Sequence, residues 1–249
     1  MKLSLITATY NSADIIMNAI NSVRNQRIDN LEYIIIDGGS TDGTLEIIKE
    51  NTDVISKWVS EPDKGIYDAL NKGLRMASGD IVGFLHSDDN FANDLILRNI
   101  IDNFNKQTID FLYGDLEYIT SAEPCKVLRY WKSGGFTQKK LRKGWMPPHP
   151  TVYFKRELLA KIGDFDTSYT ISADYDWLVR CLTSSEIKVD YIPEVLIKMR
   201  TGGASNRSLK NIIKKSSEDY RIIRRNKIGG FNTLFYKNFG KISQFFKHE

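Results

Sequence analysis

Four short apolar runs, far apart in the chain, each end in polar or acidic residues. They are Leu3-Ser4-Leu5-Ile6-Thr7-Ala8-Thr9-Tyr10-Asn11, Tyr33-Ile34-Ile35-Ile36-Asp37, Val54 to Val59 running on to Asp63, and Ile81-Val82-Gly83-Phe84-Leu85 running on to His86-Ser87-Asp88-Asp89. Stretches of helical character separate them. Strands alternating with helices specify a parallel α/β sheet. Such sheets bind ligands in the crevice outside the carboxyl ends of their strands. The topology therefore draws Thr9, Asn11, Asp37, Asp63, Asp88 and Asp89 together. Carboxylates crowded in one crevice repel unless a cation or a hydroxyl-rich ligand sits among them. The pattern points to a site for a nucleotide, a divalent metal ion, or both.

The 249 residues suit one large α/β domain or a domain with an extension, and 41% apolar content supplies a substantial core. The net charge of +4 conceals an asymmetry: residues 206–249 carry 11 Lys+Arg against 3 Asp+Glu, whereas residues 1–205 are net −4. Such a division predicts a body and a tail, the tail meeting an anionic surface. No run approaches the roughly 20 apolar residues of a spanning helix. The first apolar run breaks at Thr7–Asn11, so no signal peptide is expected. Cys125 and Cys181 lack metal-ligand spacing and read as reduced thiols of a cytosolic protein.

Periodicity predicts strands at residues 3–9, 33–37, 54–59, 81–85, 110–113, 151–154, 189–192 and 195–199. It predicts helices at 13–25, with Asn11 and Ser12 as N-caps, and at 44–50, 66–77, 94–105, 157–162 and 173–182, the last capped by Ser172. Residues 120–150 read as an irregular and functional loop. In the tail, Leu209, Ile212, Ile213, Tyr220 and Ile223 share one helical face, and Phe231, Phe235, Phe239, Ile242 and Phe246 form a second, interleaved with Lys237, Lys241 and Lys247.

Neither G-x-G-x-x-G after the first strand nor a Walker loop is present, which excludes those two phosphate-binding designs. Asp88 and Asp89 at a strand end suit a hard cation such as Mg²⁺ or Mn²⁺; a solvated turn capping the next helix is the competing explanation. Asp37, before Gly38-Gly39, suits a base or ribose contact or a capping turn. Asp174 stands in the first turn of a helix, as a general base or as a charge favoured there by the helix dipole. His149, between prolines, is a candidate metal ligand or acceptor contact as well as a candidate structural histidine. Arg200, before Gly202-Gly203, either closes over a diphosphate or belongs to a plain linker.

Taken together, these motifs resemble family 2 glycosyltransferases of the GT-A fold, over roughly residues 1–205. Thr7-Ala8-Thr9-Tyr10-Asn11-Ser12 is similar to the family's opening nucleotide-binding segment, with Ala8 where proline is common. Ile36 to Gly43 is similar to its D-G-S-x-D-x-T element. Asp63 to Gly73, followed by Ala77 to Asp80, is the most specific match. Leu85 to Asp89 resembles the metal-binding D-x-D variant, with His86 where Asn is frequent. Asp174 is retained where Glu-Asp is usual, its preceding Glu being Ala173. The resemblance implies a GT-A, Rossmann-like doubly wound mixed sheet, and enzymes of capsule, O-antigen or exopolysaccharide synthesis. It implies a nucleotide-diphosphate sugar donor packed against Thr7, Tyr10 and Asn11, with Asp37 at its base and Asp63 and Lys72 nearby. It implies Mn²⁺ or Mg²⁺ held by Asp89 with Asp88, and Asp174 taking the proton of an acceptor hydroxyl with inversion at the anomeric carbon. A uridine donor and a polyprenyl-diphosphate-linked saccharide acceptor follow, with residues 206–249 on the inner face of the plasma membrane.

Two rivals are weaker. A sugar-1-phosphate nucleotidyltransferase needs a glycine-rich, arginine-bearing loop after the first strand, and residues 7–12 hold neither glycine nor arginine. A non-catalytic nucleotide- or nucleic-acid-binding protein calls for a basic body with exposed aromatics, whereas this body is acidic.

Overall fold

The computed structural model describes residues 1–120, 125–201 and 209–240. Four strands, β1 (Leu3–Thr9), β2 (Leu31–Asp37), β3 (Lys57–Ser60) and β4 (Ile81–Phe84), form a parallel half-sheet in the order β3-β2-β1-β4. Ile34, Ile35 and Ile36 are all fully buried, as expected where helices cover both faces. The register sets Thr9 opposite Asp37 and Asp37 opposite Ser60, so the strand ends stand level. The connecting helices are α1 (Ile16–Arg24), α2 (Thr44–Glu50) and α3 (Ile66–Met76).

The other half is mixed. β8 (Tyr153–Lys155) joins antiparallel to β4, and β6 (Phe111–Ile119) antiparallel to β8. β9 (Val189–Arg200) runs parallel to β6, and β5 (Asp89–Phe91) closes the edge against β9. β7 (Val127–Trp131) lies along β6. The remaining helices are α4 (Ile96–Lys106), α5 (Gln138–Arg142), α6 (Leu158–Ile162), α7 (Ala173–Thr183), α8 (Leu209–Arg225) and α9 (Phe231–Phe239).

Several elements differ from the sequence expectation. Residues 120–150 are not a plain loop: beyond residue 124 they hold β7, α5 and the start of a 3₁₀ turn, His149–Thr151. β7 escapes periodicity because Val127 and Leu128 are both exposed, so no alternation marks it. The expected pair of strands at 189–199 is one strand, with Pro193 where the register to β6 shifts between Tyr113 and Asp115. The third strand starts at Lys57 rather than Val54, because the carbonyl of Asn51 takes the N–H groups of Val54 and Ile55 and prolongs the turn after α2. α1 begins at Ile16, without a side-chain cap from Asn11 or Ser12. Those residues bond instead to the 40–44 turn: Asn11 Oδ1 accepts from Thr41 N at 2.9 Å, and Ser12 N donates to Thr44 Oγ1 at 2.8 Å. Ser172 makes no cap bond either.

The tail helices join the main core. Ile222, Ile223 and Ile228 are buried in the same cluster as the sheet residues, each contributing roughly 1.5–3 kcal/mol. Glu218 of α8 is the polar half of this joint. Its carboxylate accepts from the N–H groups of Thr170 (3.1 Å), Ile171 (2.9 Å) and Ser172 (2.9 Å), and from Thr170 Oγ1. These bonds outweigh burial and hold Glu218 below the ordinary carboxylate range. Positions 241–249, with Lys241, Ile242, Phe246 and Lys247, lie outside the described residues, as do 202–208.

Two outcomes follow for stability. A methyl at Gly83 would overlap the ring of Tyr153, which is wholly buried across the β4–β8 pair. Gly83→Ala should therefore cost about 1–3 kcal/mol, read as a fall of several degrees in Tm. An unchanged Tm would mean that the ring is not held there. Glu218 is depressed in the fold, so the unfolded chain takes up its proton first as pH falls below 4.5 and stability is lost on acidification. Glu218→Ala should lower stability by about 2 kcal/mol or more at pH 7 and flatten that acid slope, checked by urea unfolding at pH 7 and pH 4.

Candidate active site

The strand ends build a shallow slot. Gly38 is essential to it: a Cβ there would stand 2.5 Å from Asp63 Oδ2 and 3.3 Å from the Tyr10 ring. The backbone of residue 38 thus lies directly between an aromatic face that is 63% exposed and a carboxylate. Asp63 is half-buried, and its other oxygen is tied to Gly65 N at 2.7 Å. Asn11 adopts φ 47°, fixed by its bonds to the 40–41 turn.

Three residues expected to touch a nucleotide are placed otherwise. Asp37 is fully buried and accepts from Gly39 N, Ser40 N, Ser40 Oγ and Ser60 Oγ, so it organises the turn and has no free face for a base. Thr7 is sealed under the crevice, where its hydroxyl donates to Leu85 O at 2.6 Å. Lys72 pairs with Glu61 at 2.8 Å and donates to Pro62 O at 3.2 Å, bracing the loop that carries Asp63. Thr9 is buried with its hydroxyl unpartnered, and Ala8 reaches the neighbouring cavity.

That cavity has a volume of about 530 Å³. Ala8, His86, Ser87, Asp88 and His149 form one part of its lining, and Tyr67, Asp174 and Tyr175 another. Leu116, Tyr118, Trp131, Met146 and Met199 add an apolar and aromatic wall. Asp88 is half-buried and faces the space. Asp89 does not line it: as the first residue of β5 it is fully buried, and neither of its oxygens has a partner. Burial, reinforced by Asp88, holds Asp89 well above the ordinary carboxylate range. The accessible member of the pair is therefore Asp88 alone, whereas the motif reading has Asp89 and Asp88 sharing the ion.

His149 stacks on Phe84 at 4.8 Å, with the His86 ring 5.9 Å away. Burial pushes His149 down to about 4, so its imidazole is neutral at pH 7, and its Nε2 is buried without a partner. His86 is likewise lowered by burial, with Nδ1 unpartnered. Neutral imidazole nitrogens and unpaired carboxylates are the donors a divalent cation takes. Among the described residues no three such side chains converge into a ready-made cage. The set fits an ion that also uses oxygens of a ligand, as Mg²⁺ and Mn²⁺ do with phosphates.

Asp174 enters the cavity from the first turn of α7, where the dipole favours its charge. The Tyr67 hydroxyl lies 3.1 Å from Asp174 Oδ1 and 2.7 Å from Ile171 O. Burial, reinforced by Asp174, raises Tyr67 well above its ordinary value, so it stays a donor. The nearby Asp176 turns away and pairs with Arg180 at 2.8 Å. Tyr67 was absent from the sequence expectation, although it lies inside the Asp63–Gly73 motif. Of the cavity lysines, Lys214 and Lys215 carried no signal beyond the tail's overall charge, and Lys237, expected among the lysines beside the exposed phenylalanine face, is instead buried and paired with Asp219. Arg200 ends β9 opposite Ile119 and is not part of the cavity lining, and the glycines after it lie outside the described residues.

Among known proteins, residues 4–163 match the family model described as glycosyl transferase family 2. An uncharacterized glycosyltransferase of Mycobacterium tuberculosis is 32% identical over 186 residues, 71% of this chain and 67% of the relative. A PGL/p-HBAD biosynthesis glycosyltransferase of Mycobacterium bovis is 27% identical over 82% of this chain and 78% of the relative. In fold, S. aureus TarS 1–349 in complex with UDP superposes with a TM-score of 0.73 at 20% identity, covering 98% of this chain and 72% of that one. A mannosyltransferase from Pyrobaculum calidifontis, in complex with GDP-Man and Mn2+, gives 0.67 at 19% identity over 98% and 70%. The chain spans about two thirds of the length of the relatives it matches. With its mixed sheet, strand-end carboxylates and matched family model, the chain belongs to glycosyltransferase family 2.

Proposed function

We propose that this chain moves a sugar, with inversion at the anomeric carbon, from a uridine-diphosphate sugar to a hydroxyl of a saccharide carried on a polyprenyl diphosphate. The observation that carries the reading is a single cavity holding both Asp88, from a strand end, and Asp174, from the start of α7 with Tyr67 against it. The transferases that resemble it in fold bind UDP, UDP-GlcNAc or GDP-Man, which supports a nucleotide-sugar donor.

The base stacks on Tyr10 in the slot opened by Gly38, where Asp63 accepts its ring N–H. Asp88 would supply an oxygen ligand to Mn²⁺ or Mg²⁺ and His149 a neutral nitrogen, while Asp89, kept protonated by burial behind Asp88, lies outside the cavity lining. The ion, when bound, neutralises charge on the leaving diphosphate. Asp174 takes the proton of the acceptor hydroxyl as that oxygen bonds to the anomeric carbon and the bond to the diphosphate breaks. One base and one displacement invert the configuration. Tyr67 keeps the carboxylate aimed, a positioning role. Trp131 and Tyr118, with Arg129 over both rings at 5.4 and 5.0 Å, give the saccharide an aromatic wall.

The tail side suits attachment to the inner face of the cell membrane, in a cytoplasmic peripheral protein. Phe231 and Phe235 are 71% and 50% exposed, and Tyr236 beside them is exposed too. Aromatics of this kind sit at the headgroup boundary while neighbouring lysines and arginines meet anionic lipid. No helix of the described residues is long and apolar enough to cross a membrane.

Release of nucleoside diphosphate from UDP-, GDP- and dTDP-sugars, with a lipid-diphosphate saccharide as acceptor, tests the reaction. EDTA and Asp88→Asn should each remove turnover of the one accepted donor. Asp174→Asn should lower kcat by about 10²–10⁴ while nucleotide binding persists. Turnover indifferent to both substitutions would overturn the assignment. For the membrane, Phe231→Ser with Phe235→Ser should weaken co-sedimentation with phosphatidylglycerol vesicles by roughly tenfold or more. Equal sedimentation of variant and parent would remove that face from consideration.

A further inference from the structure

The part of the cavity beside Asp174 is walled by α8 and α9, and it is cationic. Lys214, Lys215 and Lys237 all line it. Lys237 is only 3% exposed; its Nζ stands 2.5 Å from Asp219 Oδ2 and 3.5 Å from the centre of the Tyr175 ring. Lys215 Nζ lies 3.4 Å from the same oxygen. Although burial pushes Asp219 up, the two lysines outweigh it and hold the acid below its ordinary range, so it is a full anion. Asp219 thus faces two ammonium groups, with Asp174 of the same lining also favouring the Lys237 proton. Lys214 adds a third and has no ion pair among the described residues. Lys214 is solvent-exposed, so its charge is free to meet an incoming anion at the cavity's mouth beside the partly and fully buried Lys215 and Lys237. A second observation points the same way: Tyr175 lines the cavity with its hydroxyl buried and without a partner. Ammonium groups and a hydroxyl converging on one space match the oxygens of a phosphate, each of which accepts charge-assisted hydrogen bonds.

We propose that Lys214, Lys215, Lys237 and Tyr175 form a phosphate- or diphosphate-binding site distinct from the strand-end carboxylates, which seats the anionic end of the acceptor. The assignment rests on the transfer reading above and gives the acceptor a chemical class. Lys237 packs on Tyr175, the residue that follows Asp174, so the anion sits beside the base that receives the acceptor's proton. Reacting hydroxyl and phosphate then share one cavity of about 530 Å³. The acceptor is therefore a short phosphorylated saccharide, whose reacting hydroxyl lies close to its phosphate, rather than the far end of a long glycan.

The test is calorimetric titration of the full chain with inorganic pyrophosphate in EDTA and a phosphate-free buffer at pH 7, with and without saturating UDP. Pyrophosphate should bind equally in both conditions. Lys214→Gln combined with Lys215→Gln should weaken it at least tenfold with UDP affinity unchanged. Lys214→Glu, on the exposed side of α8, should do the same with the parent's circular dichroism and Tm, which separates charge from misfolding. Binding should also weaken between pH 7 and 9. Burial brings Lys237 down to about 8 even though Asp219 and Asp174 favour its proton and Lys215 opposes it; Tyr175, which also faces it, stays neutral throughout. Displacement of pyrophosphate by UDP would assign the lysines to the donor's diphosphate and overturn the proposal, as would binding unaltered by the lysine variants or absent in the parent. None of these readouts needs turnover, so a failure of sugar transfer is seen separately, in the donor-release assay.

Discussion

The Glu218 carboxylate, on a helix far along the chain, receives the three successive backbone N–H groups of residues 170–172. Those residues lead directly into the first turn of α7, from which Asp174 enters the cavity. A loop with three unpaired N–H groups would be free to move, and a charged acceptor shared by all three is among the strongest local restraints available. The burial of Ile222 and Ile223 holds α8 where that carboxylate can work. The position of Asp174, the lysine-bearing wall and the depth of the cavity therefore depend on one joint between the tail and the body.

The cavity is electrically divided. Toward the strand ends it carries Asp88 and the neutral imidazole of His149, donors that suit a cation. Toward α8 it carries Lys214 together with Lys215 and Lys237, the latter two sharing Asp219 behind them, an arrangement that favours an anion. Asp174 stands in the same lining with Tyr67 to orient it. A reaction that moves a sugar away from a metal-bound diphosphate and onto a hydroxyl beside a second anion would use both fields. Leu116, Met146 and Met199 give the space between them an apolar wall.

The parallel half of the sheet was legible because fully buried strands announce themselves as unbroken apolar runs, and their ends in Asn11, Asp63 and Asp88 marked the crevice. The mixed half was not. β7 is an edge strand with both of its first residues exposed, and β5 is three residues long, so neither carries a period. Within the site, the side chains that sequence singled out divide by environment. Asp37 and Thr7 sit at the expected strand ends, yet each spends its polar atoms on the protein itself. Tyr67 reached Asp174 only because the fold brings the start of α3 to the start of α7 across more than a hundred residues.

What the sequence by itself determined was local and chemical: alternating strands and helices, acids at strand ends, an Asp in the first turn of a helix, a family resemblance carried by short motifs. Hydrophobic periodicity and turn chemistry act between near neighbours, so a linear reading recovers them. What only the tertiary structure decided was which of two adjacent acids faces the ligand, since a one-residue step along β5 turns Asp89 into the protein while Asp88 stays open. It also decided that the basic tail serves the cavity, because the contacts of Lys215, Glu218 and Lys237 arise from packing between segments distant in the chain.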